Sequence, residues 1–306
     1  MTLPFTVGIV MVAVYGLSSL ALSAVVVMVW SLRLRHIAAS AGDILALRVL
    51  PAGGALVLTL AVALPAFLIY EPAHAVETIG PIIVVFFLLS VLTAVDGIRR
   101  AWLAVAAARA LLQDFRQPDE ARFQILELSE PMVAVVGAWR PRIIAARRVV
   151  DACTDEEFQQ VLAHEAAHLS ARDNLKLLLV VMSPDVLAWL PTGAAVVAGW
   201  RVAAELAADE HATGADARKR VALASALVKV ARLSVGSGRP RPELSMAVAL
   251  DDVGGRVRQL LVPAPLPPRT RLIGSLAAAG VLVVLAAAPL YGFVHEFVEL
   301  LVAFGR

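Results

Sequence analysis

The chain has 306 residues, of which 59% are hydrophobic and 17% are charged, and its mean hydropathy is +0.79. A soluble globular domain is usually about 45–50% apolar and about 25% charged, so this composition excludes a disordered protein and an ordinary cytosolic enzyme and indicates a membrane protein. The net charge of +2 is too small to indicate nucleic-acid binding. The single cysteine, Cys153, excludes an internal disulfide and any zinc site built from several cysteines.

Charge-free runs predict the membrane spans, because a helix needs about 20 apolar residues to cross a bilayer. The four runs are Phe5–Trp30, Ala55–Tyr70, Ile79–Val95 and Leu272–Val294. The first run has no basic residues before it and is too long for a cleaved signal peptide, so we expect a retained helix. The predicted fold class is therefore an integral membrane protein dominated by α-helices, with about four transmembrane helices.

The positions of Lys and Arg predict the orientation, because cytoplasmic loops carry an excess of basic residues. Arg33, Arg35 and Arg48 follow the first run, whereas the loop between the second and third runs contains Glu71 and Glu77 and no basic residue. We therefore expect the N-terminus outside and the long middle region on the cytoplasmic side. The predicted domains are a membrane domain of three spans (1–96), a cytoplasmic-side domain (97–270) and a last span with a short outer tail (271–306).

The middle region begins with an Ala-rich amphipathic helix, predicted over Arg99–Phe115. Two short β-branched segments, Pro131–Val136 and Arg142–Ala145, predict a hairpin or an edge pair of strands. Thr154 followed by Glu157 is a capping box, which starts a helix expected to reach Arg172 or beyond. Further helices are predicted over Arg201–Ala215 and Ala217–Leu233.

The stretch Leu177–Trp200 is apolar but interrupted by Pro184, Asp185 and Pro191. It is too broken for a straight span and too apolar for a surface loop. We interpret it as a helical hairpin that dips into the membrane or packs against the other spans. Asp185 is costly in lipid, so we expect its side chain to face protein or water.

A candidate metal site lies on the capped helix, where His164-Glu165-Ala166-Ala167-His168 reads H-E-x-x-H. Positions i and i+4 share one helix face, so His164 and His168 can bind one zinc ion together. Glu165 lies beside that face, where a carboxylate can take a proton from a water that zinc activates.

A catalytic zinc site needs a third protein ligand, and the next helix offers Glu205 and Asp209 on one face. We predict Glu205 as the third ligand and Asp209 as the acceptor that orients a ligand histidine. His211 is a candidate stabiliser of the oxyanion formed during peptide hydrolysis, with a solvated helix position as an equal alternative. The strand Val133–Val136 could hold an extended substrate at a sheet edge or be a plain core strand.

These residues resemble the gluzincins, and most closely the BlaR/MecR-type family of beta-lactam-sensor membrane metallopeptidases. The likeness covers about Pro131–Ala215, and the continuation Arg172-Asp173-Asn174 and the strand Gly137-x-x-Arg140-Pro141-Arg142-Ile143 contribute to it. The HtpX/CAAX-protease type is a related alternative with the same H-E-x-x-H and later E-x-x-x-D. The resemblance implies a small α+β zinc-peptidase domain, a Zn2+ cofactor and a bacterial cell membrane location. Because only a short tail follows the last span, we expect no direct beta-lactam sensing.

Two functions stay open at this point. The first is a zinc endopeptidase that cleaves cytoplasmic or membrane-proximal proteins, for example a repressor in a regulatory circuit, with Glu165 as general base and then acid. The second is a membrane signalling scaffold with a structural zinc. Glu165 favours the enzyme, because a structural site needs no such carboxylate. A transporter is disfavoured by spans that are almost entirely apolar. The expected partners are a protein or peptide substrate and the lipid bilayer, without nucleic acid.

Overall fold

The computed structural model describes residues 3–34, 39–70, 79–112, 123–128, 130–234, 253–262, 291–297 and 300. The helices are α1 (Leu3–Val29), α2 (Ala41–Leu58), α3 (Leu64–Tyr70), α4 (Pro81–Leu112), α5 (Arg147–Ala152), α6 (Asp155–Ala171), α7 (Asp173–Met182), α8 (Pro191–Thr213), α9 (Ala217–Ser234) and α10 (Val253–Leu261). The strands are β1 (Phe123–Leu126), β2 (Val133–Val136) and β3 (Arg142–Ala146).

The chain divides into two units. The first is formed by Met1–Arg99, Val180–Ala198 and Pro267–Arg306, and the second by Arg100–Leu179 and Gly199–Leu266. Each of the first three predicted spans falls on a helix that is long and apolar enough to cross a membrane: Phe5–Leu32, Ala41–Tyr70 and Pro81–Leu112. The fourth predicted span, Leu272–Val294, lies outside the described residues except for residues 291–294, which are helical.

Two of these helices are longer than the charge-free runs that predicted them. The second begins at Ala41, because Ser40 caps it by accepting a hydrogen bond from the backbone N–H of Asp43 at 3.3 Å. The amphipathic helix predicted over Arg99–Phe115 is the second part of α4, which continues without a break to Leu112. The junction contains Gly97 but no proline, and the Ala- and Leu-rich residues that follow favour a helix, so the helix is not interrupted there.

The stretch predicted as a helical hairpin consists of the end of α7, a 3₁₀ turn at Val186–Trp189 and the start of α8. Its central part packs against the apolar helices of the first unit. The hydroxyl of Tyr15 donates to the carbonyl of Pro184 at 3.0 Å, and the indole N–H of Trp189 donates to Asp96 at 2.9 Å.

Asp185 is buried, and its carboxylate lies 2.8 Å from the Nη1 of Arg48 on α2. The prediction that Asp185 faces protein or water is confirmed, because its charge is paired within the fold.

The second unit contains a three-stranded sheet in the order β1-β3-β2. Strands β2 and β3 are the predicted pair and run antiparallel, with Val133 opposite Ala145. Strand β1, which the sequence pattern did not predict, runs parallel to β3. The core under the sheet is apolar and includes Val133, Val135, Ile143, Val161, Leu223 and Leu227, so α6 and α9 both pack on this layer.

Candidate metal centre

The helix that carries the H-E-x-x-H sequence has two well-defined ends. At its start the hydroxyl of Thr154 accepts the N–H of Glu157, and the carboxylate of Glu157 accepts the N–H of Thr154 at 2.7 Å, so the predicted capping box is present. At its end Arg172 adopts a left-handed conformation with φ of 55°. Between these ends His164 and His168 lie one turn apart, each with 1% of its surface exposed.

Three predicted ligands converge at the centre of the second unit. The Nε2 atoms of His164 and His168 are 3.2 Å apart. The carboxylate of Glu205 on α8 lies 3.4 Å from the first of these atoms and 3.6 Å from the second. Zinc–ligand bonds of about 2.0–2.1 Å in a tetrahedral site place two ligand atoms about 3.3 Å apart. The spacing of these buried donors therefore fits a zinc ion.

The other ring nitrogen of each histidine lies beside a carboxylate. The Nδ1 of His164 is 2.9 Å from Asp209, and the Nδ1 of His168 is 2.8 Å from Asp173, the first residue of α7. A carboxylate in this position holds the proton on Nδ1 and leaves the lone pair on Nε2 for a metal. The role predicted for Asp209 agrees with this geometry, and Asp173 is its counterpart on the second imidazole.

The charges around the site also fit a dication. Four buried carboxylates surround the histidines: Glu165, Asp173, Glu205 and Asp209. Among the described residues, Arg256 on α10 contacts Glu205 and Asp209, and the half-buried Lys176 contacts Asp173. Buried carboxylates this close to one another repel unless cations lie among them. A divalent cation between the histidines and Glu205 would reduce this repulsion further.

The carboxylates beside His164 favour the charged form of its imidazole. Burial lowers the pKa of His164, but hydrogen bonding to Asp209 and Glu205 outweighs it and raises the pKa to about 10. Burial raises the pKa of Asp209, whereas His164 and Arg256 lower it to about 2. The surroundings therefore favour a positive charge on the imidazole of His164 and an ionised carboxylate on Asp209 next to it.

Arg256 is a part of this site that the sequence pattern did not reveal. Its guanidinium is 3% exposed and forms two hydrogen bonds to Asp209, at 2.8 Å through Nε and 2.6 Å through Nη2. Its Nη1 lies 2.6 Å from Glu205 Oε2. One cation thus contacts both carboxylates of the E-x-x-x-D sequence.

Glu165 is fully buried beside the three ligands. Its Oε2 accepts the backbone N–H of Val135 at 3.0 Å, and its Oε1 receives no hydrogen bond from the described residues. Burial raises the pKa of Glu165 to about 7, although the nearby His164 and His168 act in the opposite direction. A carboxylate with one fixed and one free oxygen is suited to proton transfer.

The outer edge of β2 is occupied by side chains of α6 and α7. The Nδ2 of Asn174 donates to the carbonyls of Val135 and Gly137, at 2.8 and 3.0 Å, on the side of β2 that faces away from β3. Gly137 ends the strand with φ of 94°, a conformation that glycine adopts without strain. Strand β2 is therefore an edge strand of the described sheet, and its Val135 backbone groups are already paired.

Comparison with known proteins places the sequence in a peptidase family. A sequence model of one protein family, described as BlaR1 peptidase M56, matches residues 74–260. The chain belongs to the BlaR1 peptidase M56 family. No curated protein and no solved structure matches the chain. Together with three apolar helices, membership in this M56 family makes the chain a membrane protease of the metallopeptidase class and confirms the resemblance inferred from H-E-x-x-H and E-x-x-x-D.

A cavity of about 410 Å³ lies beside the centre of this M56 peptidase. Its lining includes the predicted ligand His168 together with Val135, Ala138, Trp139, Leu169 and Asn174. The Oδ1 of Asn174 accepts no hydrogen bond from the described residues. The cavity therefore lies next to a predicted metal ligand and has a polar group in its lining.

The structure does not bring His211 into the site. This residue is exposed on α8, two positions after Asp209. Residues two positions apart on a helix do not share a face, so His211 is directed away from the ligands. The exposed position of His211 fits the alternative of a solvated helix residue, and its role as an oxyanion stabiliser stays a prediction.

Proposed function

We propose that this M56 family member is a zinc-dependent endopeptidase with His164, His168 and Glu205 as metal ligands. The observation that carries the proposal is the convergence of three buried ligand atoms, with a carboxylate behind each imidazole and Glu165 alongside. A structural zinc site is closed by protein ligands. Three ligands with a carboxylate next to them are instead typical of a catalytic site.

The residues of the chain have separate tasks in this proposal. A zinc ion held by His164, His168 and Glu205 would supply the Lewis acid that polarises the scissile carbonyl. Glu165 accepts a proton from the attacking water at Oε1 and delivers it to the nitrogen of the leaving amine. The N–H of Val135 fixes Oε2, so that the carboxylate keeps its orientation during both transfers. Asp209 and Asp173 keep both imidazoles aligned.

We also propose that the substrates are cytoplasmic or membrane-proximal proteins. The distribution of basic residues next to the spans supports a cytoplasmic location of the second unit, and the family supports a membrane setting. A repressor protein in a regulatory circuit is a substrate of this kind. The cavity beside His168 supports binding of a peptide segment close to the ligands.

The proposal is tested with the full chain purified in detergent and incubated with a proteome-derived peptide library, with cleavage read by mass spectrometry. We expect Glu165→Gln to keep zinc at the wild-type stoichiometry and to lower the cleavage rate about 100-fold or more, because proton transfer is lost. The matched control is Glu156→Gln, an exposed residue on the same helix. Undiminished cleavage by Glu165→Gln contradicts the proposal. A wild-type protein that binds zinc and cleaves nothing instead supports the signalling scaffold with a structural zinc.

A further inference from the structure

Arg256 reaches the site from a part of the chain far from the other residues. It lies on the nine-residue helix α10, whereas Glu205 and Asp209 lie on α8. Helix α10 packs against α9 and buries Arg256 and Leu260, which are four residues apart and therefore on one face. Arg256 is thus buried on the same face of this short helix as Leu260, which packs in the core.

The planar, forked guanidinium of Arg256 binds two carboxylates through different nitrogens. Its Nε and Nη2 contact the two oxygens of Asp209, which is the bidentate geometry that arginine forms with a carboxylate. Its Nη1 then lies 2.6 Å from Oε2 of Glu205. An arginine can therefore hold both carboxylates at once, whereas a lysine with one ammonium group cannot reproduce the fork.

The contacts of Arg256 restrict the orientation of two carboxylates, that of the predicted ligand Glu205 and that of Asp209 beside His164. With Oε2 held 2.6 Å from Arg256 Nη1, the Glu205 carboxylate keeps Oε2 at 3.4 Å from His164 Nε2 and Oε1 at 3.6 Å from His168 Nε2. With both oxygens held by Arg256, Asp209 keeps its place beside the Nδ1 of His164. The same cation also reduces the repulsion between the two buried carboxylates.

We propose that Arg256 is a positioning residue of the metal centre, which holds the carboxylate of Glu205 beside both imidazoles and holds Asp209 against His164. The inference rests on the proposed function and concerns the assembly of its site. Arg256 acts through the two carboxylates, so its loss should weaken metal binding even where the fold survives.

The experiment compares Arg256→Met and Arg256→Lys with Arg258→Met in the purified full chain. Arg258 is exposed on the same helix and serves as the matched control. Zinc affinity is measured by competition with a chromophoric chelator, and the absorption spectrum of the Co2+-loaded protein reports the coordination geometry. Thermal unfolding of the metal-free proteins shows whether each variant is folded.

We expect Arg256→Met to weaken zinc binding by about 10- to 100-fold, as is typical when a partner of a metal ligand is removed. Its Co2+ spectrum should change, Arg256→Lys should recover part of the affinity, and Arg258→Met should match the wild type. If Arg256→Met is unfolded, the comparison of Arg256→Lys with wild type decides, with a weaker affinity and an altered spectrum expected. Wild-type affinity and spectrum in a folded Arg256 variant overturn the inference. A wild-type protein that binds no zinc instead overturns the proposed function.

Discussion

The Nδ1 of His168 lies 2.8 Å from Asp173, and both side chains are buried. Asp173 is the first residue of α7, directly after the left-handed Arg172 that ends α6. The turn between the two helices therefore brings a carboxylate back to the histidine five positions earlier. The other imidazole is oriented from α8 through Asp209, so the two predicted ligand histidines depend on different helices for their alignment.

Replacing Asp173 by Asn tests this alignment. The amide oxygen can still accept the Nδ1–H of His168, but the negative charge is lost, and Lys176 loses its ionic partner. We expect zinc affinity to fall about tenfold or more. Chelator competition measures the change, with Asp151→Asn at an exposed position as the control. Equal affinity of the two variants would show that the Asp173 charge does not support the metal.

The lowered pKa of Glu157 predicts that the free energy of unfolding decreases in acid. Burial raises its pKa, but hydrogen bonds from Lys229, Ser225 and Thr154 lower it to about 2, below the ordinary value of 4.5. The folded state therefore binds fewer protons than the unfolded state between these two pH values, and the stabilisation is present above about pH 4.5 and lost as the pH falls toward 2.

We expect Glu157→Gln to be less stable than the wild type by about 1 kcal/mol at pH 7, and the difference to shrink as the pH falls to 2. Denaturant unfolding at several pH values measures it. A difference that is the same at pH 7 and at pH 2 contradicts the ionic role of Glu157.

The buried ion pair between Arg48 and Asp185 should stabilise the first unit only as a pair. Arg48→Met leaves the Asp185 carboxylate buried without its cation, which typically costs about 3–5 kcal/mol. Arg99, which is 62% exposed in its ion pair with Asp96, gives the control Arg99→Met, with an expected cost of about 0.5 kcal/mol or less.

Thermal unfolding in detergent compares these variants with the double variant Arg48→Met/Asp185→Asn. The double variant should be more stable than Arg48→Met alone, because no charge is then left buried. Additive losses in the double variant would argue against coupling between the two residues.

The cavity beside His168 predicts a substitution that blocks the substrate without affecting the metal. Ala138 lines the cavity, and Ala138→Trp should fill much of it. We expect KM for cleaved peptides to rise at least about tenfold while zinc affinity stays unchanged. Ala215→Trp, which lines a different cavity in the same unit, is the control. Unchanged KM in Ala138→Trp would place the substrate elsewhere.

The parts of the site that the sequence predicts are those with local spacing. His164, His168 and the neighbouring Glu165 follow from helix periodicity, and Thr154 with Glu157 marks the helix start. Glu205 and Asp209 form a second i, i+4 pair on an Ala-rich helix. Within each pair the two residues lie four positions apart, so helix periodicity places them on one face, whereas the approach of the second pair to the first follows from the need for a third zinc ligand.

The parts that the sequence does not predict depend on tertiary contacts. Arg256 contacts carboxylates 47 and 51 positions earlier in the chain. Its helix contains Gly254 and Gly255, which disfavour a helix, and its formation depends on packing of Leu260 in the core. The available signal is the i, i+4 spacing of Arg256 and Leu260, which puts a cation on the apolar face. Strand β1 is four residues long and exists by pairing with β3, which no local pattern specifies.

We propose that the buried cluster of His164, His168 and Glu205 holds the zinc ion needed for peptide cleavage. The most direct measurement is the cleavage rate of the peptide library by the metal-stripped full chain, before and after addition of one equivalent of Zn2+. We expect no cleavage by the metal-free protein and recovery after addition of zinc, with no recovery in His168→Ala. Undiminished cleavage by protein shown to contain no metal would contradict a role of zinc in cleavage.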